Sequence, residues 1–248
     1  MCRMLACLTT ESLPEGLLTQ FRRLSHEGNV PPKAAPGHVS GWGAFASDFG
    51  GSTLHYRSDK DAWADPSYDR IGEVVGDFMG ARAFMIHLRK ASVGAPRAVN
   101  SHPFVVDGKV FMHNGSIRGL SRSFSASRKP VGHTDSEKFF LLLLDSLGDK
   151  EMPAALNRVL PALEELDYSS LTFIMEDGPS LFAYRHFGRH EDYYTLYYAR
   201  TRGSVLFSSE PLTSKLDWHP VGNRELIRAR LAGRVIELKR YAIPHLVA

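Results

Sequence analysis

The second residue of this 248-residue chain is a cysteine. Cys2 follows Met1 directly, and initiator methionine is removed most readily before small residues, so the mature chain is expected to begin at Cys2 with a free α-amine. An α-amine titrates near ~7.7–8.0 and can accept a proton at neutral pH, while a thiol, near ~8.5, reacts as its thiolate. One residue would then supply both the nucleophile and its general base. Taken alone, a cysteine here also reads as a small buried hydrophobe. Cys7, in the apolar run of residues 4–8, reads as core. A metal site on the two cysteines would need two further ligands that no spacing supplies, so neither metal nor cofactor is expected.

Three other stretches carry chemistry-bearing residues. In His87-Leu88-Arg89-Lys90-Ala91-Ser92-Val93-Gly94, strand alternation puts Phe84, Ile86 and Leu88 on one face and Met85, His87 and Arg89 on the other. A guanidinium at that strand end suits bidentate capture of a carboxylate, or a surface ion pair. In His113-Asn114-Gly115, Asn-Gly after a strand is a turn signal. The same geometry lets a side-chain amide and a glycine N–H converge on one point as an oxyanion hole. Thr134-Asp135-Ser136-Glu137 reads as a capping box opening a leucine-rich helix. Asp135 then either complements the helix dipole, which keeps it ionised, or receives a substrate ammonium.

Elements must hold these residues in place. Strands are expected over residues 40–47, 83–88, 109–113, 171–175, 180–184, 193–200, 204–208 and 235–239, with a hairpin at Arg202-Gly203 and a turn at Asp107-Gly108. Helices are expected over 67–78, where Ile71, Val74, Val75 and Phe78 share a face, and over 136–147, 153–166 and 14–24. Grouped strands and helices suggest antiparallel sheets with covering helices. Residues 28–38, with three prolines and two glycines, and the basic, serine-rich residues 118–129 read as solvated loops or, in the sharper reading, as a cover over a site and a basic edge for an anionic substrate.

Composition bounds the rest. Hydrophobic residues at 43% and charged residues at 23% are the balance of a soluble globular domain, expected to span 1–248 as one unit. A net charge of +3 is too small to argue for nucleic acid or an anionic membrane as partner. No apolar run approaches the ~20 residues of a bilayer span, and no secretory signal opens the chain, so a cytoplasmic protein is expected.

Together, Met1-Cys2-Arg3, Gly41-Trp42-Gly43, His87-x-Arg89 with Ser92 and Gly94, Asn100-x-His102-Pro103, His113-Asn114-Gly115 and Thr134-Asp135-Ser136-Glu137 resemble, in order and spacing, the glutaminase domain of the class II glutamine amidotransferases, a group of N-terminal-nucleophile hydrolases. Ser209-Glu210-Pro211-Leu212 followed by Trp218 resembles the tail of small stand-alone members, such as the γ-glutamyl hydrolase of ergothioneine synthesis. The resemblance implies an α+β fold, a four-layer αββα sandwich of two antiparallel sheets. It implies that Cys2 attacks the γ-amide of glutamine or of a γ-glutamyl amide to give a γ-glutamyl thioester. Asn114 and the Gly115 N–H would hold the oxyanion. Arg89, with Ser92, would bind the substrate α-carboxylate end, and Asp135 the α-ammonium. Ser40 departs from the Asp of many relatives, and Lys90 and Val93 replace the Trp and His of the larger synthases. No second catalytic domain is expected, so hydrolysis is itself the purpose, or ammonia passes to a separate synthase. A non-catalytic γ-glutamyl-binding module is the alternative of another class. The expected partner is the small-molecule substrate, with a synthase or a second copy of the chain left open.

Overall fold

A computed structural model describes residues 2–77 and 81–245; Met1 and Phe78 lie outside the described residues. Strand β1 (Arg3–Thr9) is buried along its whole length, and its alternation separates two cores. Met4, Ala6 and Leu8 face one way, Leu5 and Cys7 the other. β1 is central in a seven-stranded antiparallel sheet ordered β13-β11-β12-β1-β4-β2-β3. Its other members are β2 (Trp42–Asp48), β3 (Thr53–Ser58), β4 (Ala81–Leu88), β11 (Tyr197–Arg200), β12 (Ser204–Ser208) and β13 (Trp218–Pro220).

A second, six-stranded sheet runs β15-β14-β10-β9-β6-β5. It comprises β5 (Phe104–Val106), β6 (Lys109–Asn114), β9 (Thr172–Asp177), β10 (Ser180–Arg185), β14 (Glu225–Ala232) and β15 (Val235–Ala242). Its inner face meets β1 and β4 through Val110, Met112, Ile174, Leu181 and Ala183. The short strands β7 (Ile117–Arg118) and β8 (Asp167–Tyr168) pair separately.

Helices cover both outer faces. Leu17 and Phe21 of α1 (Leu17–Glu27) and Tyr68, Ile71 and Val75 of α2 (Ser67–Asp77) pack with Leu5, Cys7, Phe84 and Ile86 of the first sheet. Val74, expected on that buried face, is exposed. Between β7 and β8, α3 (Leu120–Ser123) leads to α4 (Asp135–Leu147) and α5 (Met152–Glu164). Phe139, Phe140, Leu156 and Leu160 of the last two helices bury Phe111 and Phe173 of the second sheet. The result is the expected four-layer αββα sandwich of two antiparallel sheets.

Most expected elements form with small shifts of their ends. Asp107 (φ 50°) and Gly108 (φ 71°) make the tight β5–β6 turn, and β11 and β12 pair across Arg202-Gly203. The 193–200 segment is shorter than expected, because residues 193–196 precede β11 as turn and coil. Only half of the capping box forms. Thr134 Oγ1 accepts from the Glu137 N–H (3.1 Å), but the Glu137 carboxylate accepts instead from the N–H groups of Val131 and Gly132 (2.8 and 2.7 Å). Glu137 therefore fastens the preceding loop rather than the helix start.

Candidate active site

Strand parity assembles the site. Met4 lies opposite His87 in the β1–β4 register, so Cys2 continues the inner face of β1 and His87 that of β4. On β6, Val110 and Met112 face inward, which brings Asn114 to the same interlayer space from the facing sheet. The Cys2 backbone nitrogen donates to Asn114 Oδ1 at 2.8 Å. This is the atom that becomes the α-amine once Met1 is gone. Asn114 Nδ2 is buried and has no hydrogen-bond partner among the described residues, leaving two donors beside the cysteine.

Cys2 is buried, and its Sγ lies 4.0 Å from the Lys90 carbonyl oxygen. Burial alone would raise the thiol pKa. The positive α-amine of residue 1, His87 and the Lys90 backbone outweigh it and lower the value to about 5 in the chain that keeps Met1. Cys7 shows the contrast: burial pushes it up to about 12 despite a bond to Ser204, as befits a core residue. The same burial is thus opposed by neighbouring positive charge at Cys2 and prevails at Cys7.

Gly115 permits the close approach of chain segments here. A Cβ at that position would collide with the Ser170 carbonyl oxygen and come within 2.6 Å of His113 Nε2. His113 itself is fixed between Ser136 Oγ (2.9 Å) and the Ser170 carbonyl (3.0 Å), and burial lowers its pKa to about 3, so it is a neutral spacer. His102 lies against His87 with ring centroids 4.1 Å apart and the planes tilted by 36°, and burial likewise holds its pKa well below the usual range.

Arg89 is brought to the same end of the sheet, but its terminal N–H groups are engaged. They donate to the carbonyls of Val93, Gly94 and Ala95 at 3.0, 2.9 and 3.1 Å and, more weakly, of Ser40 at 3.4 Å. Asn100 Nδ2 also donates to Ala95 (3.0 Å), so two side chains shape the 93–95 loop. Ser92 points elsewhere, sharing a 2.6 Å hydrogen bond with Ser116. Asp135 stands at the first position of α4, where its carboxylate accepts from the N–H groups of Ile117 (2.6 Å) and Ser136 (3.0 Å). The helix start was expected to keep it ionised. Burial instead raises its pKa, and these N–H groups only moderate the effect.

Sequence reasoning assigned no role to the residues that tie the N-terminus down. Arg3 is buried, stacks on the Tyr193 ring at 4.4 Å, and donates to Glu210 and to the Asn29 carbonyl. Glu210 also accepts from the Asn29 N–H (2.9 Å). Lys90 Nζ donates to the carbonyls of Ala35 and of Gly37, the latter at 2.9 Å. The proline-rich 28–38 segment is thus anchored to Arg3 and Lys90, on either side of the cysteine, while Asn29, Pro32, Lys33, Ala35 and Pro36 stay exposed to solvent. Its signal was the pairing of Arg3 with an unassigned Glu210, invisible without the fold.

The sequence pattern of the class II glutamine amidotransferases matches residues 1–203. The chain belongs to that family. A γ-glutamyl-hercynylcysteine sulfoxide hydrolase of Mycolicibacterium smegmatis is 26% identical over 242 residues, covering 95% of this chain and 99% of the relative. An uncharacterised protein of Methanocaldococcus jannaschii is 31% identical over 174 residues, 58% of this chain; that match spans about half (49%) of the archaeal protein's length. The solved structure of a class II glutamine aminotransferase domain protein from Silicibacter pomeroyi superposes with a TM-score of 0.65 at 22% identity, covering 98% of this chain and all (100%) of that one, and so shares the fold. Among the described residues of this amidotransferase, no cluster of three or more His, Cys, Asp or Glu could hold a metal ion, and no helix is long and apolar enough to cross a membrane.

Proposed function

We propose that this amidotransferase hydrolyses γ-glutamyl amides with Cys2 as its N-terminal nucleophile. The observation that carries the reading is the split use of the Asn114 amide: Oδ1 holds the Cys2 nitrogen, while buried Nδ2 keeps its donors unspent. A buried donor left unpaired costs free energy unless something else is gained, and an oxyanion is the partner that fits.

In the proposed reaction the Cys2 thiolate attacks the γ-carbonyl carbon. The carbonyl oxygen takes the negative charge and accepts from Asn114 Nδ2 and the Gly115 N–H. The thiol proton is taken up by the α-amine of Cys2, in keeping with cationic surroundings that lower the thiol pKa. That ammonium protonates the leaving nitrogen as the C–N bond breaks, giving the free amine and a γ-glutamyl thioester. Water, giving its proton to the now neutral α-amine, attacks the thioester. Collapse expels the thiolate and releases glutamate. Arg89 binds the substrate α-carboxylate by exchange: a charged acceptor displaces neutral carbonyls of the 93–95 loop, since charge-assisted hydrogen bonds are the stronger. Asp135, with lone pairs to spare, receives the α-ammonium, and Ser92 lines the approach.

The activity named for the mycobacterial relative belongs to this reaction class, which favours hydrolysis over ammonia supply to a synthase. The test is glutamate release from a panel of γ-glutamyl amides by protein whose N-terminus is verified as Cys2. Hydrolysis that disappears in Cys2→Ala, with covalent capture of Cys2 by a diazo-ketone glutamine analogue, is expected. γ-Glutamyl binding without turnover by the processed protein would replace the enzyme with a binding module.

A further inference from the structure

Beside the catalytic centre opens a cleft of about 500 Å³, lined by residues that the reaction above leaves mostly unused. Its inner wall is Ser92, Val93 and Ser116. Ser116 follows the oxyanion glycine, and Val93 belongs to the loop gripped by Arg89. The cleft therefore adjoins the scissile position. Ammonia needs no such volume, whereas a bulky amine does.

The outer wall is cationic. Lys33, from the 28–38 segment, meets Arg118 and Arg189, with His190 beside them. One carboxylate answers them: Asp167 accepts from Arg118 at 3.3 Å and from Arg189 at 2.8 Å. Lys33 makes no ion pair among the described residues, so positive charge is left in excess. The Asp167 pairs are solvent-exposed, and exposed pairs are weak enough to re-form on another anion. Guanidinium groups in such a setting match a carboxylate two bonds at a time.

Backbone strain points to the same wall. Among the described residues, four other than glycine have left-handed φ, and two of them, Lys33 (φ 66°) and His190 (φ 56°), line this cleft. Such conformations cost of order 1 kcal/mol or more and gather at binding sites, where surrounding structure enforces them. The floor is rigid. Tyr194 donates to Ser169 Oγ at 2.8 Å, and the same oxygen accepts from the Ser116 N–H at 3.0 Å.

From these observations we infer that the cleft takes the amine portion of the substrate, and that this amine carries a carboxylate, as an amino acid does. The inference rests on the hydrolase reading and narrows its substrate class: γ-glutamyl conjugates of amino acids or peptides rather than glutamine. The glutamyl end lies toward Arg89 and Asp135, the γ-carbonyl at Cys2, and the carboxylate of the leaving amine reaches Lys33, Arg118 and Arg189.

The experiment compares kcat/KM for γ-glutamylglycine and γ-glutamylglycinamide, which differ by one carboxylate, with glutamine alongside. The processed protein is expected to prefer γ-glutamylglycine by roughly tenfold, a preference that shrinks between 50 mM and 500 mM salt as the charges are screened. Arg118→Gln and Lys33→Asn, the latter because Asn tolerates left-handed φ, should bring the ratio toward one. Equal rates on the two amides, insensitive to salt, overturn the inference while the hydrolase reading stands. Glutamate release from none of the three overturns both.

Discussion

A thiol on an N-terminal residue gains its reactivity from what surrounds it. Here the positive α-amine of residue 1 and His87 prevail over burial and lower the Cys2 thiol pKa, and the α-amine of a processed Cys2 acts in the same direction. Alkylation of the processed protein by iodoacetamide should level off well below the ~8.5 of an ordinary thiol, with Cys7 silent throughout. A rate still climbing between pH 8 and 9 would place the thiol in its ordinary range. Asn114→Ala removes the proposed oxyanion donor and the acceptor that holds the Cys2 nitrogen, so a fall in kcat of ~10²–10³ or more is expected with little change in fold. Gly115→Ala acts differently. Its Cβ must push β6 away from Ser170, and we expect both lost activity and a stability loss of roughly 1–3 kcal/mol by chemical denaturation.

At the scale of elements, the site depends on loops clipped by single side chains. Glu210→Ala removes the carboxylate that bridges Arg3 and the Asn29 N–H, leaving only the direct bond from Arg3 to the Asn29 carbonyl, and amide exchange across residues 28–38 should rise several-fold while the sheets stay protected. Arg89→Lys cannot bond the carbonyls of Val93, Gly94 and Ala95 together, because an ammonium is a point charge and not a planar fork. KM for a γ-glutamyl amide should rise about tenfold, with kcat less affected. These loops also mark the boundary of what the sequence discloses. β4 and β6 were legible as short apolar or alternating runs, but the parity that sets Cys2 against Asn114 was not, because it runs through β1, which reads in the sequence only as an apolar run. β14 was not. Its residues (ELIRARLA) are strong helix formers, and only pairing with β10 and β15 makes them a strand. The occupied state of Arg89 was equally hidden, since its acceptors are backbone carbonyls that carry no sequence signature.

Across the whole molecule, buried neutral histidines bind the fold to pH. His38, His113 and His186 are held by burial at about 2, 3 and 4 respectively. An unfolded histidine titrates near ~6.5, so between these values the unfolded chain binds more protons. The stabilisation is complete above about pH 6.5 and is lost as the pH falls, by up to ~1.4 kcal/mol per unit for each histidine. Urea midpoints should therefore drop between pH 7.5 and 5, and His113→Asn should start lower at pH 7.5 yet fall less steeply. A midpoint independent of pH over that range would contradict the burial of these rings.

In the proposed reaction the nucleophile and its proton carrier are one residue. Two preparations of the same chain decide this: one processed to begin at Cys2, the other retaining Met1, each verified by intact mass and assayed for glutamate release from γ-glutamylglycine. Activity is expected in the first and at most a trace in the second, since a peptide nitrogen cannot carry the proton to the leaving amine. Equal activity in both would contradict it.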